Sequence, residues 1–412
     1  MFKSLNSVAL PVSNIEKARD WYSTVLNTKP VMDSPIVVIF SIGDYTLMLN
    51  PAAREIVAES EKPLVYWDVD DADEAYKRLL ELGAAKHTDV SISVGNNRIA
   101  RVYDPFGNVL GITSKPSEKT KTLEDKPSES ALTVAFCRAL SAHDDREMFN
   151  CKDNIAELFL NDDAKKTLDN PASRDWLFKN MMTPGVYEFF IARTKYIDSV
   201  FVNAVESGFL QIVFLGAGYD SRAYRFADRL GSTKVFELDA APTQRRKIER
   251  LRHGNIAHPP QLTYVQMNFE KDSFADVLTQ AGFDKTLKTL FVWEGVSYYL
   301  TPQAVNDTFD FIRNNSPSGS VICFDYIPDA PDLNERYGTA IALKNMKSLY
   351  EAETARFTID EGTIEDFLAP RGFVLLEHLS PEEISEKYFT ASDGARAANI
   401  TAMFCFVRAE VH

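Results

Sequence analysis

The stretch Gln211-Ile-Val-Phe-Leu-Gly-Ala-Gly-Tyr-Asp-Ser-Arg222 restricts the fold of this chain more than any other. Four successive apolar residues, Ile212 to Leu215, lack the alternation of a half-solvated strand and call for one buried on both faces, as in a parallel sheet. Gly216-Ala217-Gly218 follows at once, where the backbone can turn tightly and come close to a bound molecule. Tyr219, Asp220 and Ser221 then lead into a helix.

Further strand candidates follow downstream: Lys234–Asp239, Leu262–Phe269, Leu290–Gly295 and Ser320–Tyr326. Helical stretches separate them at Ser221–Ala227, Pro242–Leu251, Phe274–Gln280 and Pro302–Asn314. Upstream helices are expected at Leu132–Ala142, Asp153–Leu160 and Gly185–Glu206. Strands that alternate with helices predict an α/β fold with a doubly wound sheet. Phe373–Leu379 and Thr401–Arg408 complete seven strands, so residues 131–412 read as one Rossmann-like domain.

The first 114 residues follow another pattern. A strand at Leu5–Val12 precedes a helix carrying Ala18, Trp21, Tyr22 and Val25, which Ser13 or Asn14 can cap. Strands at Val37–Ile42 and Tyr45–Leu49 follow, joined at Gly43-Asp44. The order then repeats, with a strand at Leu64–Val69, a helix after Asp70-Asp-Ala-Asp73 that ends at Gly83, and strands near Arg98–Tyr103 and Val109–Ile112. This is an α+β domain of paired βαβββ modules. Residues 115–130, rich in charge and without an aromatic, read as a linker.

A net charge of −14 and no marked Lys/Arg cluster argue against nucleic acid or an anionic membrane as partner. No apolar run is long enough to span a bilayer, and no secretory signal is apparent. Cys137, Cys151, Cys323 and Cys405 are scattered, as expected of reduced thiols in a cytoplasmic protein.

Ligands of doubly wound sheets sit beyond the carboxyl ends of the strands. Those ends carry Asp220, Glu237, Asp239, Asn268, Phe269, Glu294 and Asp325, a rim dominated by acids. Ser221 stands where a dinucleotide turn has its third glycine, and Asp220 would repel a pyrophosphate. S-Adenosylmethionine, with an ammonium, a sulfonium and no phosphate, suits such a rim. Its ribose would take Glu237 or Asp239, and its adenine Asn268 and Phe269. No histidine stands at a strand end as a base, so a carboxylate acceptor, already ionised, is favoured. For a hydroxyl acceptor the candidate bases are Tyr298, Tyr299, Asp325 and Tyr326. Segments 328–357 and 167–187 are expected to shape the acceptor pocket.

Residues 131–412 resemble the leucine carboxyl methyltransferase-like family of class I O-methyltransferases. The matching motifs are Phe214–Arg225, Val235–Asp239 with Pro242 and Lys247, Trp293–Leu300 and Arg193–Asp198. The resemblance implies that Arg193, and with it Arg138, holds the methionine carboxylate of the cofactor. It further implies that Gly216 approaches the cofactor, Asp239 holds the ribose and Glu294 lies beside the sulfonium.

Residues 1–114 resemble the glyoxalase, bleomycin-resistance and dioxygenase superfamily through Val8–Val12, Ile15–Tyr22, Trp67–Asp71 and Tyr103–Asn108. The resemblance implies a cup and a homodimer; Trp21, Tyr22, Trp67 and Tyr103 could line the cup, although aromatic residues at such spacings are more often core. At the family's metal-ligand positions this chain has Ser7, Leu64, Gly111 and the stretch Leu47–Leu49, so no metal is expected. The whole reads as a small-molecule O-methyltransferase with an accessory domain. The alternative is a non-catalytic protein whose N-terminal cup sequesters an aromatic metabolite.

Overall fold

A computed structural model describes residues 2–12, 14–25, 28–42, 45–51, 64–92, 97–103, 109–115, 127–180, 182–268, 272–349 and 355–412. The first half runs β1 (Phe2–Val12), α1 (Ile15–Val25), β2 (Met32–Asp33), β3 (Val38–Ile42), β4 (Tyr45–Pro51), β5 (Leu64–Val69), α2 (Ala72–Glu81), β6 (Ala85–Ile92), β7 (Arg98–Tyr103) and β8 (Val109–Ser114). Helices α3 (Glu129–Ala142), α4 (Asp162–Asp169), α5 (Pro171–Asn180) and α6 (Val186–Glu206) come next. Then come β9 (Gln211–Leu215), α7 (Arg222–Arg225), β10 (Lys234–Asp239), α8 (Ala241–His253), β11 (Leu262–Gln266), α9 (Phe274–Gln280), β12 (Thr289–Trp293), α10 (Pro302–Asn314) and β13 (Val321–Tyr326). The chain ends with β14 (Pro328–Asp329), α11 (Thr339–Leu349), β15 (Ile359–Asp360), α12 (Ile364–Leu368), β16 (Phe373–Leu379), α13 (Pro381–Phe389) and β17 (Cys405–Val411).

The chain divides into two compact units, Met1–Thr120 with Asp169–Met181, and Lys121–Leu168 with Met182–His412. The helix α5, inside the stretch expected to form one C-terminal domain, therefore belongs to the first unit. There Trp176 Nε1 donates to the Asp33 carbonyl at 3.1 Å.

In the first unit eight strands form one sheet in the order β2-β3-β4-β1-β5-β8-β7-β6, with β1 and β5 antiparallel at the centre. Each half of it carries one helix. The Asn14 side chain accepts from Lys17 N at the start of α1. Asp71 caps α2 by accepting from Asp73 N and Glu74 N. Leu47, Leu49, Val38 and Phe40 bury one side of the first half, with Val8 and Tyr22 packed against them. Val69, Ala100, Val102 and Ile112 bury α2 in the second, and Trp67 packs there too. Tyr22 and Trp67 are thus core on the helix side, not the lining of a cup. Tyr103 is exposed. The side chain of Trp21, the turn at Gly43-Asp44 and the motif at 104–108 lie outside the described residues. Strand β6 is the third strand of the second βαβββ module, for which only the strands near Arg98–Tyr103 and Val109–Ile112 were located in the sequence. Its Lys86, His87 and Asp89 and two register shifts against β7 hide the strand pattern, as suits an edge.

In the second unit the order β11-β10-β9-β12-β13-β17-β16 is that of a doubly wound sheet, with β17 antiparallel to both its neighbours. All five residues of β9 and of β12 are buried, which explains their unbroken apolar runs. Chain order reverses between β9 and β12, and the glycine turn lies at that switch point. Three expected boundaries shift. Strand β11 stops at Gln266 and β17 begins at Cys405. The helix expected at Asp153–Leu160 is only a short 3-10 turn at Ala156–Phe159. Asp153 Oδ1 accepts from Ile155 N and Ala156 N, closing a side-chain turn that competes with an α-helix. All four cysteines are free and buried, and among the described residues no helix is long and apolar enough to cross a membrane.

Candidate cofactor site

The glycine turn is fixed by the sheet itself. Gly216 N and Ala217 N both donate to the Leu238 carbonyl, at 3.0 and 2.9 Å, so the turn is stitched to the end of β10. Gly216 has φ +80°, a conformation that L side chains rarely adopt, and a Cβ there would lie 2.7 Å from Val296 Cγ2. Asp239, at the end of β10, accepts from Gly218 N and Ala240 N. Its carboxylate and the turn form one unit.

Glu237, the other acid of β10, lies elsewhere. It is buried and ion-paired with Lys247 of α8 at 2.5 Å. Burial, against the pull of Lys247, raises its carboxyl to about 7. Of the two ribose candidates, Asp239 is the one at the glycine turn.

The rim is not the uncompensated acidic surface that the strand ends suggest. Arg222, with no exposed side-chain area, reaches Asp198 and Glu294 at 2.7 Å and also pairs with Asp220. Arg193 lies 2.8 Å from Asp325 and 3.0 Å from Glu294. Arg225 meets Asp198 at 2.7 Å, and Arg138 meets Asp153 at 3.4 Å. Four arginines thus face five carboxylates, a balance of one negative charge. Asp220 does not repel a pyrophosphate as an isolated charge, because Arg222 neutralises it and takes both its oxygens in hydrogen bonds. The signal for this was in the motif at Asp220–Arg225, where two arginines follow the acid. Arg222, Arg225, Asp153 and Asp198 were absent from the expected site because, Asp220 apart, their partners are distant in sequence.

Titration follows from these contacts. Burial alone would raise Glu294, but Arg222 and then Arg193 outweigh it and hold the carboxyl at about 2. Burial raises Asp325 despite Arg193, and it raises the Tyr298 phenol beyond its ordinary range. Asp325 accepts from Arg193 and, at 2.7 Å, from Gly295 N. Tyr299 packs edge-on against Tyr298. Tyr326 is not brought to the rim, since its ring belongs to the hydrophobic core and its hydroxyl meets His378 Nε2 at 3.1 Å. Asn268 N donates to Asp272, just past β11, and Phe269 lies outside the described residues.

Two buried atoms test whether a cofactor with a carboxylate fits. Arg138 Nε and Arg193 Nε have no hydrogen-bond acceptor among the described residues. Arg193 Nε lies near Glu294 Oε1 without the alignment to donate to it. Buried unsatisfied donors on two arginines, beside a turn that admits no Cβ, suit an anionic group there.

Comparison with known proteins fits this geometry. The leucine carboxyl methyltransferase family matches residues 131–313, and the glyoxalase/bleomycin resistance protein/dioxygenase superfamily matches residues 4–112. YktD of Bacillus subtilis (strain 168), which carries the name of an S-adenosyl-L-methionine-dependent methyltransferase, is 30% identical over 291 residues, 65% of this chain and 93% of that protein. A similarly named protein of Mycolicibacterium paratuberculosis is 35% identical over 144 residues, covering 35% of this chain and 46% of its own length. Among solved structures, the magnesium protoporphyrin IX methyltransferase of Synechocystis PCC 6803 aligns over 54% of this chain and 85% of its own, at 13% identity and a TM-score of 0.34.

The sheet order and the site at its switch point define a class I methyltransferase fold. The chain belongs to the leucine carboxyl methyltransferase family of S-adenosylmethionine-dependent enzymes, with an N-terminal module of the glyoxalase superfamily.

Proposed function

We propose that this enzyme methylates a carboxylate of a small molecule. The supporting observation is the state of the groups that could act as a base at the strand ends. Glu294, held at about 2 by Arg222 and Arg193 against its burial, is too weak a base to take a proton from a hydroxyl. Asp325 is occupied by Arg193 and Gly295, and the Tyr326 hydroxyl by His378. An ionised carboxylate needs no proton removed before it accepts a methyl group. S-Adenosylmethionine supplies that methyl group, activated on a sulfonium sulfur.

We assign Arg193 and Arg138 to the amino-acid end of the cofactor, because their buried Nε atoms lack acceptors. Gly216, Ala217 and Gly218 offer a backbone that a ligand can approach closely, and Asp239 offers its carboxylate to the ribose hydroxyls. Asn268 and Phe269 are assigned to the adenine, and Glu294 to the sulfonium end. Asp220 shapes the turn through Arg222, and Glu237 is left to Lys247. The N-terminal unit serves as an accessory binding module.

Incubation of the full chain with S-adenosylmethionine and a panel of organic acids, followed by mass spectrometry, tests the acceptor class. The expected product gains one methyl group and loses it to hydroxylamine, as an ester does. A methylated product that resists hydroxylamine would mean a hydroxyl acceptor and would refute this reading.

A further inference from the structure

We propose that Arg101 and Tyr66, on the face of the eight-stranded sheet opposite α1 and α2, bind the carboxylate of a small organic acid. This inference does not depend on the methyl-transfer reading. Strand pairing sets Thr46, Ser7, Tyr66, Gly111 and Arg101 in one row across β4, β1, β5, β8 and β7. Their neighbours along each strand, Leu47, Val8, Trp67, Ile112 and Val102, pack in the helix-side cores, so this row faces the other way. The row contains Ser7 and Gly111, two of the positions where the family's metal ligands were sought. The third sequence candidate, Leu64, pairs with Ala9, and Tyr66 takes its place in the row. Among the described residues no group of three His, Cys, Asp or Glu could hold a metal ion.

The row carries a different apparatus. Tyr66 is 1% exposed, and its ring lies over Gly111 so closely that a Cβ there would stand 2.6 Å from Cδ1. Arg101 Nε donates to the Tyr66 hydroxyl at 2.7 Å, and its guanidinium carbon sits 5.7 Å from the ring centroid. The fork is thereby held at one end. Arg101 has no carboxylate within ion-pair distance among the described residues, and its two terminal nitrogens have no protein acceptor there. A half-buried guanidinium oriented by a buried phenol and lacking a counter-charge presents the parallel donors that a carboxylate takes in bidentate fashion. Asp68 shares this face, two residues from Tyr66 along β5, yet makes no ion pair with Arg101. One guanidinium balances one negative charge, which favours a carboxylate over a phosphate dianion. The adjacent row on the same face, Ile39, Met48 and Ala9, is apolar and suits the body of such an acid.

Calorimetric titration of the full chain with benzoate, and separately with inorganic phosphate, tests the site. The expected result is benzoate binding that Arg101→Met weakens at least about tenfold. Arg101→Lys, which keeps the charge but not the fork, should fall between the two and guards against misfolding of the first variant. No benzoate binding by the wild type at millimolar concentration, equal affinity in Arg101→Met with an unchanged melting profile, or phosphate bound more tightly than benzoate would each overturn the proposal.

Discussion

Arg222 offers the sharpest test of how the rim is built. Its replacement by Met removes a fully buried cation that contacts three carboxylates, but the three do not suffer equally. Asp198 keeps Arg225, and Glu294 keeps Arg193. Asp220 is left without a cation. Breaking a buried pair from one side costs about 3–5 kcal/mol, chiefly because a buried charge loses its compensation. Arg222→Met should therefore destabilise the second unit by about that amount. Adding Asp220→Asn, which removes the stranded charge and keeps an acceptor for Arg222 N, should recover about 1–3 kcal/mol. Hydrogen exchange of the β9 and β12 amides reads this unit separately from the first. The pH dependence has a definite sign. Glu294 is depressed to about 2 from an ordinary 4.5, so its share of the stability is complete above about pH 4.5 and is lost as pH falls through about 2. The gap between wild type and Arg222→Met should narrow over that window. A loss below about 1 kcal/mol, or further destabilisation by Asp220→Asn, would refute the compensation scheme.

Two further outcomes follow from buried geometry. Glu237 is raised to about 7, so it stabilises the fold most below about pH 4.5 and that contribution is lost as pH rises through 7. Relative to Glu237→Gln, the wild type should lose about 3 kcal/mol across that range in urea titrations at successive pH values. A constant difference would mean that Glu237 stays ionised throughout. Gly216→Ala should cost about 1–2 kcal/mol from its backbone conformation, with a further penalty from Val296. Adding Val296→Ala should relieve only the second part, which melting curves of the two variants can separate.

Much of this molecule could be read from its sequence wherever one local pattern sufficed. Strands β9 and β12 are buried on both faces and so appear as apolar runs, and the glycine turn follows directly from β9. Edge strand β6 escaped because its charged residues obey no core periodicity. The charge pattern of the rim was misread for a different reason. Arg193 and Asp325 are 132 residues apart, and only the packing of α6 against the strand ends makes them a pair. Sequence gives the acids without saying which cation each will meet. Glu237 and Asp239 differ in the same way. Both sit near the end of one strand, but α8 supplies Lys247 to the first, while the glycine turn takes the second.

We propose the turn at Gly216–Gly218 and the carboxylate of Asp239 as the cofactor site. Calorimetric titration of the full chain with S-adenosylmethionine tests it most directly, with Asp239→Ala as the comparison. Binding by the wild type and at least about tenfold weaker binding by the variant are expected, with the fold retained but the melting temperature lowered by the loss of the acceptor for Gly218 N and Ala240 N. Equal affinity in the two proteins, or no binding by the wild type, would rule this site out.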